Sequence, residues 1–219
     1  MNLFCGMIGI YMVFQGNIHA GAYSIFIAAA FDFFDGFAAR MLKVSSAIGK
    51  ELDSLADLVT FGVLPSFILF QMVSPQMDGS YLPFLTFSIG VFSALRLAKF
   101  NIDTRQSDRF IGVPTPANAL LISTLPFLFE KFGSVDQALN NPFGLLAISI
   151  SMSFLLVAEL PLIALKFKNF SFQDNVFRFL TIAIGLICIL ALGLAGIPLV
   201  IISYILLSLA ERMVVRHEV

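Results

Sequence analysis

Long apolar runs interrupted by short polar breaks occupy the whole of this 219-residue chain. The pattern predicts helices near residues 3–16, 18–42, 49–74, 81–100, 114–132, 143–166, 177–192 and 196–212. A helix needs roughly 20 apolar residues to cross a bilayer, and these runs meet or approach that length. Backbone N–H and C=O groups in lipid must be satisfied within the spanning structure, and no short alternating segments suggest a barrel. The expected fold class is therefore all-α, a polytopic membrane protein with about eight transmembrane helices. The chain reads as one integral membrane domain over 1–219, with the candidate chemistry in about 1–130 and additional helices at about 143–212. Gly193-Leu194-Ala195-Gly196 leaves only a very short turn between the last two helices.

Composition agrees with a bilayer as solvent. The chain is 58% hydrophobic and only 12% charged, with mean hydropathy +0.93, too few charges for the polar shell of a soluble domain this size. A net charge of −1, without a basic patch interleaved with aromatics, gives no reason to expect a nucleic-acid partner. Cys5 and Cys188 lie in separate apolar segments without CxxC spacing, which argues against a disulfide framework or a zinc site. No basic n-region or small-residue cleavage site precedes the first apolar run, so it is read as a span and not as a leader.

Charge asymmetry orients the helices. With the turn around Val44–Ile48 facing the cytoplasm, Arg40, Lys43, Lys50, Arg96, Lys99, Arg105, Arg109, Lys166, Lys168, Arg178, Arg212 and Arg216 all fall on that side. Only Lys131 falls on the other. Such a positive-inside bias supports the helix map and places both termini in the cytoplasm, as in a bacterial inner-membrane protein.

The candidate chemistry lies beside the same turn. Asp32 and Asp35 are spaced to share one face of the second helix, and Asp53 and Asp57 one face of the third. Counted outward from the turn, Asp35 matches Asp53 in depth and Asp32 matches Asp57. An antiparallel helix pair would thus gather four carboxylates among apolar flanks. An Asp costs about 2.5–3.5 kcal/mol at a span centre, less near the interface, and four like charges repel one another. Arg40 alone cannot neutralise them. Oxygen-only donors at this density suit a hard divalent ion, Mg²⁺ or Mn²⁺, with room for two, and not zinc. Gly36, Ala39 and Gly49 allow close approach of a helix or a ligand, and Arg40 is a fork donor suited to phosphate. Such equipment serves phosphoryl transfer. Carboxylates near helix ends are also found simply at the interface, but two helical pairs with Gly and Arg between them favour a functional site.

The run Asp32-Phe-Phe-Asp35-Gly36-Phe-Ala-Ala39-Arg40, then eight residues, then Gly49-Lys-Glu-Leu-Asp53-Ser-Leu-Ala-Asp57 resembles the D-x2-D-G-x2-A-R-x8-G-x3-D-x3-D motif of the CDP-alcohol phosphatidyltransferases. The resemblance implies divalent metals held by Asp32, Asp35, Asp53 and Asp57, with Asp57 as general base. It also implies CDP-diacylglycerol contacts at Asn2, Gly36, Ala39, Arg40, Ser46 and Gly49. Leu95-Arg96-Leu97-Ala98-Lys99-Phe100-Asn101 and Phe110-Ile-Gly112-Val-Pro114-Thr-Pro116-Ala117 resemble stretches of the phosphatidylserine synthase branch, with Lys99 and Val113 where that branch usually has Arg and Leu. Asn2-Leu-Phe-Cys-Gly6 is similar to the branch's first helix, although its members usually carry more residues ahead of this Asn. The resemblance implies L-serine as acceptor, phosphatidylserine and CMP as products, and often a homodimer. It covers roughly the first 120 residues well.

Arg96, Lys99, Asn101, Arg105 and Arg109 form a basic cluster at the end of the fourth helix and in the loop after it. Capture of the acceptor carboxylate and lipid phosphate is one reading, for Arg96, Lys99, Asn101 and Arg109 above all; contact with anionic headgroups is the other. Glu159, placed within the sixth span before Pro161, either touches the active site or hydrogen-bonds backbone freed by the proline, and the second reading is favoured. His19 and His217 are read as interfacial, and Pro65 and Pro114 as residues that kink or start helices. A sister enzyme using glycerol 3-phosphate, inositol phosphate or choline is the nearest alternative. A cation transporter with an acidic transport site is the remoter one, and no internal symmetry of broken helices supports it.

Overall fold

The computed structural model describes residues 1–42, 46–103, 110–163 and 175–216. Each predicted segment contains helix among the described residues. The main elements are α1 (Asn2–Phe14), α2 (Ile18–Leu42), α3 (Ala47–Asp57), α4 (Leu64–Val73), α5 (Ser88–Ile102), α6 (Thr115–Lys131), α7 (Gly133–Leu139), α8 (Pro142–Val157), α9 (Val176–Leu192) and α10 (Ile197–Arg216). A π-helical stretch, Leu58–Val63, joins α3 to α4 without a break, and a 3₁₀ segment, Leu82–Phe87, leads into α5.

Four helical stretches among the described residues are long and apolar enough to cross a membrane, or five if the bent pair α7 and α8 counts as one span. The difference from eight has a simple origin. The α1 helix has 13 residues and α6 has 17, both short for a bilayer. The stretch Val176–Val214 is continuous by helical backbone, yet a Cβ at Gly185 would lie 3.5 Å from Val200, so α9 and α10 fold back on each other at Gly193–Gly196. Large apolar side chains line the outer faces, among them Phe4, Tyr11, Phe33, Phe154 and Leu190. Outward apolar faces on long helices are those of an integral membrane protein.

Two clusters form the interior. Val13, Ile25, Phe61, Leu64, Ile68 and Ala119 join α1, α2, the π stretch, α4 and α6. Leu69, Ile89, Leu121, Leu145, Leu156 and Ile205 belong to a larger one that joins α4, α5, α6, α8 and α10. The central helices are therefore α4 and α6, which contribute to both.

The sixth predicted helix is shorter than expected. It ends at Val157 and not near residue 166, so Glu159 is exposed on non-helical chain and not inside a span. Pro161 disfavours helical backbone at Leu160. In place of helix, β2 (Pro161–Leu162) pairs antiparallel with β1 (Phe110–Ile111). The Gly112 N–H donates to the Leu160 carbonyl at 2.9 Å, and the Val113 N–H to the Leu155 carbonyl at 2.9 Å. At φ +76°, Gly112 sits where a side chain would press into the carbonyls of Leu156 and Ala158.

Candidate active site

The α2–α3 turn region brings the acids together much as their spacing requires. Carboxylate oxygens of Asp32, Asp53 and Asp57 lie within 4.8 Å of one another, a compact oxygen-only donor set of the kind hard divalent cations take. Asp35 is outside that trio and lies on the wall of an adjoining cavity of about 480 Å³ together with Asp53. Gly36, Ala39, Ser46 and Gly49 line the same cavity, as does Lys50. The Ser46 hydroxyl caps α3, accepting from the Gly49 N–H at 3.0 Å. A Cβ at Gly49 would meet only that hydroxyl, at 2.9 Å, so this glycine serves the cap and the cavity wall more than helix contact. Arg40 falls on α2, its side chain outside the described residues, as are Arg105, Arg109 and His217.

Asn2 was expected at the lipid nucleotide and is found among the acids. Its Nδ2 donates to Asp57 Oδ1 at 2.8 Å and stands 3.3 Å from Asp32 Oδ1. The residue is 4% exposed, and its Oδ1 has no partner among the described residues. Close helix packing puts it there. A Cβ at Gly6 would collide with Thr60 of the π stretch, so only glycine lets α1 settle against that stretch. The Thr60 hydroxyl then donates to the Asn2 carbonyl at 3.3 Å.

The π stretch begins immediately after Asp57 and ends two residues before Pro65. In an α-helix, the proline ring would crowd the carbonyl four residues earlier, and its missing N–H would leave that carbonyl unpaired. A wider turn accommodates it, and such π insertions gather at functional sites. No sequence signal beyond Pro65 itself announced this one. Pro114 is the N-cap residue of α6, a helix start as expected.

The basic cluster is divided. Arg96 is 8% exposed; its Nη1 donates to the Thr115 hydroxyl at 2.9 Å, and its guanidinium lies 5.7 Å from the Phe100 ring centroid. Lys99 is exposed and shares a second cavity, of about 310 Å³, with Arg96. Asn101 is turned elsewhere. Its Nδ2 donates to the Ser54 hydroxyl at 3.0 Å, and its carbonyl accepts from Lys50 Nζ at 3.0 Å, fastening the end of α5 to α3. His19 faces Glu130 at 3.0 Å beside a roomier cavity of about 860 Å³. That cavity is about 20 Å from Asp32 along α2, at 1.5 Å per residue.

Paired acidic helices with small residues between them are one thing; a family-wide match of the sequence around them is another. The family model for CDP-alcohol phosphatidyltransferases matches residues 1–165. The chain belongs to that family. The match runs through α8 and β2, further than the motifs alone reached, and leaves α9 and α10 of this phosphatidyltransferase outside it. A Bacillus subtilis (strain 168) protein named CDP-diacylglycerol–serine O-phosphatidyltransferase is 37% identical over 170 residues, 77% of this chain and 86% of the relative. A Helicobacter pylori (strain 26695) protein of the same name is 30% identical over 171 residues, 77% and 69% of the two chains. The archaetidylserine synthase of Methanothermobacter thermautotrophicus is 31% identical over 155 residues, 69% and 63% of the two.

Proposed function

We propose that this enzyme transfers the phosphatidyl group of CDP-diacylglycerol to L-serine, giving phosphatidylserine and CMP. The observation that carries the reading is the convergence of Asp32, Asp53 and Asp57 within 4.8 Å, beside a cavity walled by the small residues of the family motif. Relatives named for serine as acceptor support the choice of alcohol.

Asp57 accepts the proton of the serine hydroxyl. Asn2 donates to one of its oxygens, which fixes the carboxylate's orientation. The serine oxygen forms a bond to the phosphorus that bears the diacylglycerol, and the bond from that phosphorus to the bridging oxygen breaks, so CMP departs with that oxygen. Gly36, Ala39, Ser46 and Gly49 let the pyrophosphate and cytidine approach the backbone, and Arg40 grips phosphate. Asp32, Asp53 and Asp57 would hold a divalent ion, Mg²⁺ or Mn²⁺, and Asp35 would extend the set toward a second. When bound, such ions supply positive charge that stabilises the phosphoryl oxygens. Arg96 and Lys99 face the acceptor; Asn101 is a fastening residue between α5 and α3.

In this reading all eight helical segments cross the bilayer, α1 and α6 as short spans, with both termini and the carboxylates on the cytoplasmic side of a bacterial inner membrane and a homodimer as the assembly. The lopsided distribution of Lys and Arg supports this orientation.

The test is CMP release by the purified protein in detergent, with CDP-diacylglycerol and Mn²⁺ or Mg²⁺, with and without L-serine. Release that depends on serine and disappears with EDTA is expected. Release driven by glycerol 3-phosphate, inositol phosphate or choline and not by serine would move the acceptor to a sister reaction. No release with any acceptor would reject the enzymatic reading.

A further inference from the structure

The 310 Å³ cavity between the end of α5 and the end of α8 carries both signs of charge. Arg96 and Lys99 stand on its wall with Asp103 and Glu159, over an apolar floor that includes Ile111 and Leu156. Its volume is at the small end of ligand pockets, suited to an amino acid more than to a nucleotide. Arg96 is buried, and its Nε has no partner among the described residues, leaving one donor of the fork available. Arg96 stands on α5, which packs against the π stretch that follows Asp57: a Cβ at Gly62 would meet Ser93 at 2.8 Å.

Glu159 reaches this wall through long-range structure. The pairing of Phe110 with Leu162 and of Ile111 with Pro161 ties the chain after α8 to the segment before α6. Gly112, in its left-handed conformation, seals that contact. Leu156 and Val157, the last residues of α8, line the same cavity. Asp103 and Glu159 each also interact within the protein. An acceptor carrying only negative charge, such as a phosphorylated alcohol, would meet two carboxylates here. A zwitterion would find a partner for each end.

We propose that this cavity holds the acceptor as a zwitterionic α-amino acid, with Arg96 receiving its carboxylate and Glu159 its ammonium, so that Glu159 is a specificity-determining residue. The inference rests on the serine reading above and deepens it. Glu159 is far in sequence from the acidic motif and selects the acceptor without serving the phosphoryl chemistry.

The experiment compares L-serine with 3-hydroxypropionate, which keeps the hydroxyl and carboxylate and lacks the ammonium, in the full-length wild type and in Glu159→Gln. Wild type is expected to prefer serine strongly. In Glu159→Gln the KM for serine rises about tenfold to a hundredfold, the worth of one charge-assisted hydrogen bond. Its kcat, its KM for CDP-diacylglycerol and its efficiency with 3-hydroxypropionate stay nearly unchanged. An unchanged KM for serine, or equal losses with both acceptors, would overturn the proposal. If Glu159→Gln does not fold, competition in the wild type decides: 3-hydroxypropionate should fail to compete with serine, and competition as effective as serine's own binding overturns the assignment. A wild type that releases CMP but not in response to serine rejects the underlying reading itself, a result distinct from either failure of Glu159.

Discussion

The 480 Å³ cavity beside α2 and α3 and the 310 Å³ cavity between α5 and α8 are assembled in opposite ways. The first is local. Its acids and small residues sit on two consecutive helices joined by a short turn, at three- and four-residue spacings that helical geometry translates directly into shared faces. The second is built from segments about fifty residues apart in the chain, joined by two pairs of β residues and a left-handed glycine. The local cavity supplies charge for phosphoryl transfer, which is common to the whole family. The remote one supplies recognition. Chemistry held on rigid helices and selectivity held on a clamped connection can vary independently.

Substitutions should separate the two regions. The largest effect is expected from Asp57→Asn, which removes the base: serine-dependent CMP release falls by about 10²–10⁴-fold, measured as kcat at saturating substrates. Next, Asn2→Ala releases the Asp57 carboxylate from its 2.8 Å partner. A drop in kcat of about tenfold, with the KM for serine little changed, is the expected result, one charge-assisted hydrogen bond being lost. Gly112→Ala acts on the other region. Forcing a side chain into φ +76° destabilises the protein by about 1–2 kcal/mol before any clash with the α8 carbonyls. Thermal unfolding should register that loss, and the KM for serine should rise more than kcat falls. The smallest effect is expected at the far end of α2. His19→Ala breaks an exposed contact with Glu130 and an edge-on ring contact with Phe127, both far from the acids, and should leave turnover within the error of the assay. A large loss of activity there would show that the 860 Å³ cavity takes part in the reaction after all.

The same contrast explains what could be read from the chain. Asp53 and Asp57 were legible because helical periodicity puts them on one face of α3, and Asp32 because an antiparallel α2–α3 pair brings it to the depth of Asp57. That Asp35 stands outside the trio was not legible, and Ser46 was so only through the family resemblance. The eight helical segments were legible from apolar run length; whether each crosses the bilayer was not, since α1 and α6 fall short of a span. Glu159 was misplaced because apolar residues continue past Val157 and disguise the end of α8. Only the pairing of β2 with β1 reveals where that chain goes. Asn2 was picked out for the lipid nucleotide, and its place beside Asp57 was not foreseen. Its contact with Asp57 depends on how closely α1 can approach Thr60, a matter of Gly6 and a π turn that no hydrophobic pattern encodes. Asn101 belonged to a basic stretch that suggested acceptor binding, but a hydroxyl on α3 stands within its reach.

The central claim is that the carboxylate cluster moves a phosphatidyl group onto serine. Incorporation of radiolabelled L-serine into chloroform-extractable lipid, by purified wild type and by Asp57→Asn with CDP-diacylglycerol and Mn²⁺ or Mg²⁺, tests it most directly. The account predicts labelled phosphatidylserine matched by an equal amount of CMP in the wild type, and almost none in the variant or with EDTA. Label that stays in the aqueous phase while CMP is released, or a variant as active as the wild type, would contradict it.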